Sequence, residues 1–212
     1  MEKQLPTIIN IITNKDGTYT GDLKVYFRII MRAPNVLNPY HGIRHMLHVL
    51  WECYQGAIAL GIDGDKLRCL LIAALFHDYD HTGQPGDDSK NIERAVAGMK
   101  KHLLPEDKKH GTTIESLIRG THYPHSGDPS SNLHALLRDV DLAQGLSESW
   151  IELVLFRLGV EKGNTMESML QQQERFLLNL SEQFQTNWAK RHFSTALSNR
   201  LIEVREMMQV LT

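Results

Sequence analysis

The sequence predicts an all-α fold, on two observations. Apolar residues recur at helical spacing through long segments, as in residues 41–60, where Ile43, Met46, Leu47, Leu50, Trp51, Tyr54 and Ile58 fall on one face. The punctuation between segments, at Gly61, Pro105 and the Gly-, Pro- and Asn-bearing stretches, falls where helices stop. One short run, residues 7–13, is rich in β-branched side chains and precedes Asn14-Lys15-Asp16-Gly17, so it predicts a short strand with a turn, or an irregular arm.

Along the chain, residues 22–32 read as a first helix, and residues 33–40, with two prolines and two asparagines, as a loop. Residues 41–60 form the helix with the apolar face. Residues 65–76 are largely apolar and predict a central, buried helix. Beyond the loop at 83–89, a helix runs from about 90 to 104, capped by Asp88 or Ser89 and stopped at Pro105. Residues 112–121 make a short helix, and 122–130 a polar loop. Residues 132–143 return to the core, and 147–158 are helical. Residues 164–190 read as one long amphipathic helix with a break near Leu180-Ser181, and 193–211 close the chain. The whole of 1–212 reads as one domain, with residues 1–20 as an arm and 21–212 as the helical core.

The chain has 212 residues, 42% apolar and 23% charged, with a formal net charge of −2. That is enough for one full core. The charge gives no support for a nucleic-acid or anionic-membrane surface. No apolar run approaches the roughly 18 residues of a membrane span, and Met1 to Pro6 carry no signal-peptide pattern. Cys53 and Cys69 sit in apolar helical contexts and read as buried free thiols of a reducing compartment. A cytoplasmic location is the expectation.

Eleven histidines are many for this length, and most lie between His41 and His125. The apolar run Leu71-Ile72-Ala73-Ala74-Leu75-Phe76 ends abruptly in His77-Asp78, followed by Tyr79-Asp80-His81-Thr82-Gly83. A buried run carries the His-Asp pair to the edge of the core, where a carboxylate is costly without a cation. Imidazole and carboxylate together suit Zn, Mn, Fe or Ni. A second signal is Tyr40-His41-Gly42-Ile43-Arg44-His45, in which His41 and His45 are one helical turn apart. A histidine at a helix start has its pKa lowered unless a carboxylate opposes the dipole. His48 shares the apolar stripe and reads as a packed histidine. The third signal is Arg138-Asp139-Val140-Asp141-Leu142 inside an apolar stretch. Two positions apart on a helix means about 200° apart, so only one aspartate can face a given metal. The other should pair elsewhere, with Arg138 or a neighbouring helix end.

In order and context, these three stretches resemble the HD-domain superfamily of metal-dependent phosphohydrolases. The closer resemblance is to class I cyclic nucleotide phosphodiesterase catalytic domains. Their Tyr-His-Asn-x-x-His is similar to Tyr40-His41-Gly42-Ile43-Arg44-His45, their His-Asp-x-Asp-His-Pro-Gly to residues 77–83, and their Ala-Asp-Leu to Val140-Asp141-Leu142. The resemblance spans roughly residues 40–143 and implies a helical bundle of that family. It implies His45, His77, Asp78 and Asp141 as ligands of divalent ions, two of them, drawn from Mn, Mg, Zn, Fe or Ni. Asp78 would bridge to the second ion, His41 would be the general acid, and His81 a histidine behind the ligands or facing phosphate. Gln173 and Phe176 have the Gln-x-x-Phe spacing with which that family reads a purine, and Tyr40 would also contact substrate. Some HD-domain proteins add histidines before the final Asp, and His122 or His125 resembles them, which would make His122 a further metal or phosphate contact; the alternative is a polar surface loop, and His102 reads as exposed near a helix end. Gly42 and Thr82 depart from the family's Asn and Pro, the family's Glu-Asn-His-His stretch has no clear counterpart, and the chain has the size of a compact microbial or viral member.

The expected function is hydrolysis of a nucleotide phosphoester, with a cyclic nucleotide or other phosphodiester leading, by metal-activated water. A small-molecule nucleotide is the expected partner. The alternatives are a nucleotidase or deoxynucleoside triphosphatase, a di-iron oxygenase of the same superfamily, and a non-catalytic nucleotide-binding module.

Overall fold

A computed structural model describes residues 7–86 and 88–211, and every regular element among them is a helix. In chain order these are α1 (Ile8–Thr13), α2 (Lys24–Ile30), α3 (Ile43–Ala59), α4 (Gly64–Phe76), α5 (Asp88–His102), a 3₁₀ turn (Pro105–His110), α6 (Gly111–Arg119), α7 (Asn132–Asp141), a second 3₁₀ turn (Leu142–Leu146), a π-helical stretch (Ile151–Leu158), α8 (Gly159–Lys162), α9 (Met166–Gln183), α10 (Asn187–His192) and α11 (Ser194–Leu211).

Helix α4 is the axis. Every residue from Leu67 to Phe76 is buried, and α2, α3, α5, α6 and α7 pack around it. A helix that is apolar on all sides belongs in a core. Its one buried charge, Arg68, is compensated by a forked pair to Asp107 at 2.6 and 2.7 Å and by the carbonyls of Thr20 and Asp22. Burying α4 to its last turn is what delivers His77 and Asp78 to the core's edge. Cys53 and Cys69 are buried free thiols, as expected. No helix among the described residues is long and apolar enough to cross a membrane.

Three expectations are corrected. Residues 7–13 are neither strand nor arm: α1 is capped by Thr7, whose Oγ1 accepts from Asn10 N at 3.1 Å, and it buries Ile11 and Ile12 in the core. Burying an isoleucine stabilises by about 1.5–3 kcal/mol, which outweighs its preference of tenths of a kcal/mol for strand over helix. The start of the expected arm, residues 1–6, lies outside the described residues. The long C-terminal helix breaks at Phe184 and Thr186 rather than Leu180-Ser181, because Thr186 caps α10 through Ala189 N. The helix expected to end at Leu158 continues, through the π-helical stretch and α8, to Lys162, where Gly163 adopts φ +64°. That extension carries Glu161 to the side of His41.

Helices α3, α7 and α10 meet at Gly56. A Cβ there would lie 2.5 Å from Leu136 Cδ1 and 2.9 Å from the Trp188 ring. Overpacking costs about 1–3 kcal/mol, against which alanine's better helix propensity returns about 1 kcal/mol. Gly56→Ala is therefore expected to lower the thermal midpoint in a calorimetric scan; a raised midpoint would contradict this close crossing.

Candidate metal centre and active site

The end of α4, the start of α3 and the end of α7 bring four side chains to one point. His45 Nε2 lies 3.0 Å from Asp141 Oδ1 and 3.4 Å from Asp78 Oδ2, and His77 Nε2 lies 3.3 Å from each of those oxygens. Both imidazoles are buried. Ligands about 2.1 Å from one ion sit about 3.0 Å apart in octahedral and about 3.4 Å apart in tetrahedral arrangement. The observed spacings fall in that interval. The remaining ring nitrogens are fixed from behind: His45 Nδ1 meets Gln144 Oε1 at 2.5 Å, and His77 Nδ1 meets the Ala74 carbonyl at 2.8 Å. These acceptors leave Nε2 of each ring with its lone pair towards the cluster, the arrangement that orients metal-ligating histidines. His77 Nε2 and Asp78 Oδ2 are buried with no hydrogen-bond partner, which an ion would remedy. Of the four side chains, His45, His77 and Asp78 form a group whose donor atoms could hold a metal ion, and Asp141 Oδ1 lies 3.0 and 3.3 Å from the two imidazoles.

The electrostatics keep the two carboxylates charged, so that the cluster attracts positive charge. Burial alone would raise the pKa of Asp78 and lower that of His77, yet their mutual attraction holds Asp78 well below and His77 well above the usual ranges. Asp141 is likewise held down by His77 and His45 against its burial.

The two aspartates of α7 diverge as the helical geometry requires. Asp139 is buried and accepts from Gln185 N at 2.7 Å, Thr186 N at 2.8 Å and Thr186 Oγ1 at 2.7 Å, so it caps a neighbouring helix end. Asp141 is the one in the cluster.

His41 lies in the turn just before α3 rather than within it. Gly42, extended at φ −117°, is the N-cap, and a side chain there would meet the Asn38, Val36 and Asn35 carbonyls at 2.6, 3.1 and 3.3 Å. The backbone crowding at this turn accounts for glycine here. His41 Nδ1 meets Glu161 Oε2 at 2.5 Å, while Glu161 Oε1 accepts from Tyr40 N and His41 N at 2.7 and 3.0 Å. Burial would lower the His41 pKa, but the Glu161 carboxylate raises it above the ordinary value. His81 stacks on His41 with ring centroids 3.9 Å apart. Burial, and then the charge of His41, push His81 down to about 4, so it is neutral; its Nδ1 accepts from Gly83 N at 2.9 Å. The donor atoms of His41, His81 and Glu161 also lie within 4.8 Å of one another, but they are already engaged locally, which makes the group a support for His41 rather than a second cage.

A cavity of about 460 Å³ reaches the cluster at His45 and Asp141. Tyr40, His41, His45, His81 and Asp141 line one end, with Gln173 and Phe176 further along. Tyr40 stacks on His45 at 5.0 Å. Gln173 is buried, its Nε2 has no partner, and a Cβ at Gly145 would lie 2.7 Å from that atom. The structure thus brings together Tyr40, His41, His45, His77, Asp78, His81, Asp141, Gln173 and Phe176. It does not bring in His122, whose Nε2 meets Ser89 Oγ at 3.3 Å and which neither lines the cavity nor joins a cluster. His125 Nδ1 is turned to the His122 carbonyl, and His102 to Tyr79. His48 is half-buried and pushed down to about 4 by burial. Gln144, Glu161 and Asn35 were not singled out from sequence. A lone acid in Gly159-Val160-Glu161-Lys162-Gly163 gives no periodic signal.

No family model matches the chain, and no curated protein matches it.

Asp139→Ala should leave Mn²⁺ binding intact while lowering stability, since it orphans three donors, two of them buried, each buried one costing about 1–3 kcal/mol. Asp141→Ala should do the reverse. Calorimetric Mn²⁺ titration beside thermal melts of both variants would show the exchange of effects, and metal loss in Asp139→Ala would overturn the assignment.

Proposed function

We propose that this protein is a metal-dependent phosphohydrolase acting on a nucleotide phosphoester, with a phosphodiester as leading substrate. The observation that carries the reading is that His45 and Asp141, two of the four donors at metal-ligand spacing, line the same cavity as His41, whose pKa a buried glutamate raises. The likeness of three sequence stretches to HD-domain phosphodiesterases supports it. His45, His77, Asp78 and Asp141 would hold the ion, and Asp78 would bridge to a second. A divalent ion bound there supplies an activated water and charge stabilisation for the phosphoryl oxygens.

The chain's own residues do the rest. His41 gives its Nε2 proton to the departing oxygen as the phosphorus–oxygen bond breaks. Glu161 fixes the ring and stabilises the imidazolium. His81, neutral and stacked on His41, keeps the ring from swinging away without adding a competing charge. Phe176 and the apolar wall of the cavity receive a flat base, and Gln173 Nε2 has a hydrogen bond to offer it. Among the alternatives, the oxygenase reading draws on a histidine-richer set, and His102, His122 and His125 do not join the cluster. The poised Glu161–His41 pair favours catalysis over a binding module. A terminal-phosphate substrate remains distinguishable by assay of monoesters against diesters with Mn²⁺ or Mg²⁺.

General acid catalysis is worth about 10²- to 10⁴-fold. His41→Ala is expected to lose kcat in that range on a natural diester, with metal content retained, and much less on a nitrophenyl diester, whose leaving group needs no proton. Because activity requires protonated His41, it should fall as pH rises through a pKa above the usual 6.5 or so. Glu161→Gln removes the largest of the influences that raise that pKa, so the alkaline limb should move to lower pH. A limb that stays put would remove His41 from the acid's role.

A further inference from the structure

The two imidazoles of the cluster are held from behind in different ways. His77 Nδ1 donates to a backbone carbonyl, that of Ala74, whereas His45 Nδ1 donates to a side chain, Gln144 Oε1, at 2.5 Å. Gln144 belongs to the second 3₁₀ turn, which begins directly after Asp141. Side chains three residues apart eclipse in a 3₁₀ turn, so Asp141 and Gln144 project together, and both meet the ring of His45. Asp141 Oδ1 lies 3.0 Å from Nε2 while Gln144 holds Nδ1. One ring is thus gripped at both nitrogens by residues a single turn apart. The grip is set in the core: Gln144 is 2% exposed, Ala143 and Leu146 beside it are buried, and the turn packs on α3, α11 and the π-helical stretch.

An amide and a carboxylate have different consequences in that position. Either accepts the Nδ1 proton and leaves the Nε2 lone pair for an ion. A carboxylate also draws on that proton, which makes the imidazole a more basic ligand. Gln144 and the Ala74 carbonyl both accept without charge, so both imidazoles stay ordinary neutral donors beside two carboxylates. Imidazole nitrogen suits Zn²⁺, carboxylate oxygen suits Mn²⁺ and Mg²⁺, and most sites bind Zn²⁺ the more tightly. We propose that Gln144 is the positioning residue that sets the affinity of the cage for its ion, and that its neutrality narrows the advantage Zn²⁺ ordinarily has over Mn²⁺. The inference rests on the metal-cage reading of His45, His77, Asp78 and Asp141, and not on the identity of any substrate.

The test is calorimetric titration of the full chain, stripped of metal by a chelator, with Mn²⁺ and with Zn²⁺. The wild type is compared with Gln144→Met and Gln144→Glu. Methionine keeps the length and removes the acceptor, so affinity for Mn²⁺ should fall about 10- to 100-fold. Glutamate restores the acceptor and adds charge. It should bind Mn²⁺ at least as tightly as the wild type, and the ratio of Zn²⁺ to Mn²⁺ affinity should rise about tenfold. A merely structural role would instead weaken both ions alike in both variants, since either side chain would disturb the turn. That result, wild-type affinity in Gln144→Met, or an unchanged ratio in Gln144→Glu would overturn the proposal. Thermal melts of the metal-free proteins show whether each variant folds, and should Gln144→Met not fold, the ratio in Gln144→Glu decides alone. A wild type that binds neither ion refutes the cage and the proposal with it, whereas a wild type that binds, beside variants that match it, refutes the proposal only.

Discussion

The rest of the structure depends on holding two carboxylates, Asp78 and Asp141, against two buried imidazoles at the end of a helix with no exposed face. Charges in such a place are costly unless compensated. Here the compensation is local and geometric. Each imidazole is fixed from behind by a neutral acceptor, so that its free nitrogen is aimed at the carboxylates. Helix α4 supplies His77 and Asp78 because its apolar run ends there, α3 supplies His45 near its start, and α7 supplies Asp141 at its last residue.

What keeps the two motif-bearing segments in register is a loop of little apparent interest. Asn35, nearly fully buried, donates to the carbonyls of His41 at 2.6 Å and Asp78 at 2.7 Å, and accepts from Asp80 N at 2.8 Å. Asn38 donates to the His81 carbonyl at 2.8 Å. Asp80 is held at φ +64°, a conformation an aspartate tolerates better than most residues. Each bond contributes about 0.5–1.5 kcal/mol, and together they tie the turn holding His41 to the turn holding Asp78. His41 and the His/Asp cluster are therefore positioned by one shared brace.

The helices were legible because periodicity reports burial directly, and α4 announced its central place by having no polar face. The His-Asp pair and the separation of Asp139 from Asp141 were also legible, since a 200° divergence follows from helix geometry alone. The N-terminal run misled because β-branched character is a weak preference beside the burial of Ile11 and Ile12. Glu161 and Gln144 were hidden for a different reason. Each acts on partners 99 or more residues away in sequence, and long-range pairing leaves no local pattern. Asn35 read only as a loop former, although its three bonds are what give the loop its shape.

The central claim is that His45, His77, Asp78 and Asp141 form a metal cage. Anomalous diffraction from crystals grown with Mn²⁺, recorded at the manganese edge, tests it most directly. A peak is expected among the four donor atoms, about 2.0–2.3 Å from the Nε2 of both histidines and from an oxygen of each aspartate. No peak there at saturating Mn²⁺, with the four side chains paired only to one another, would contradict it.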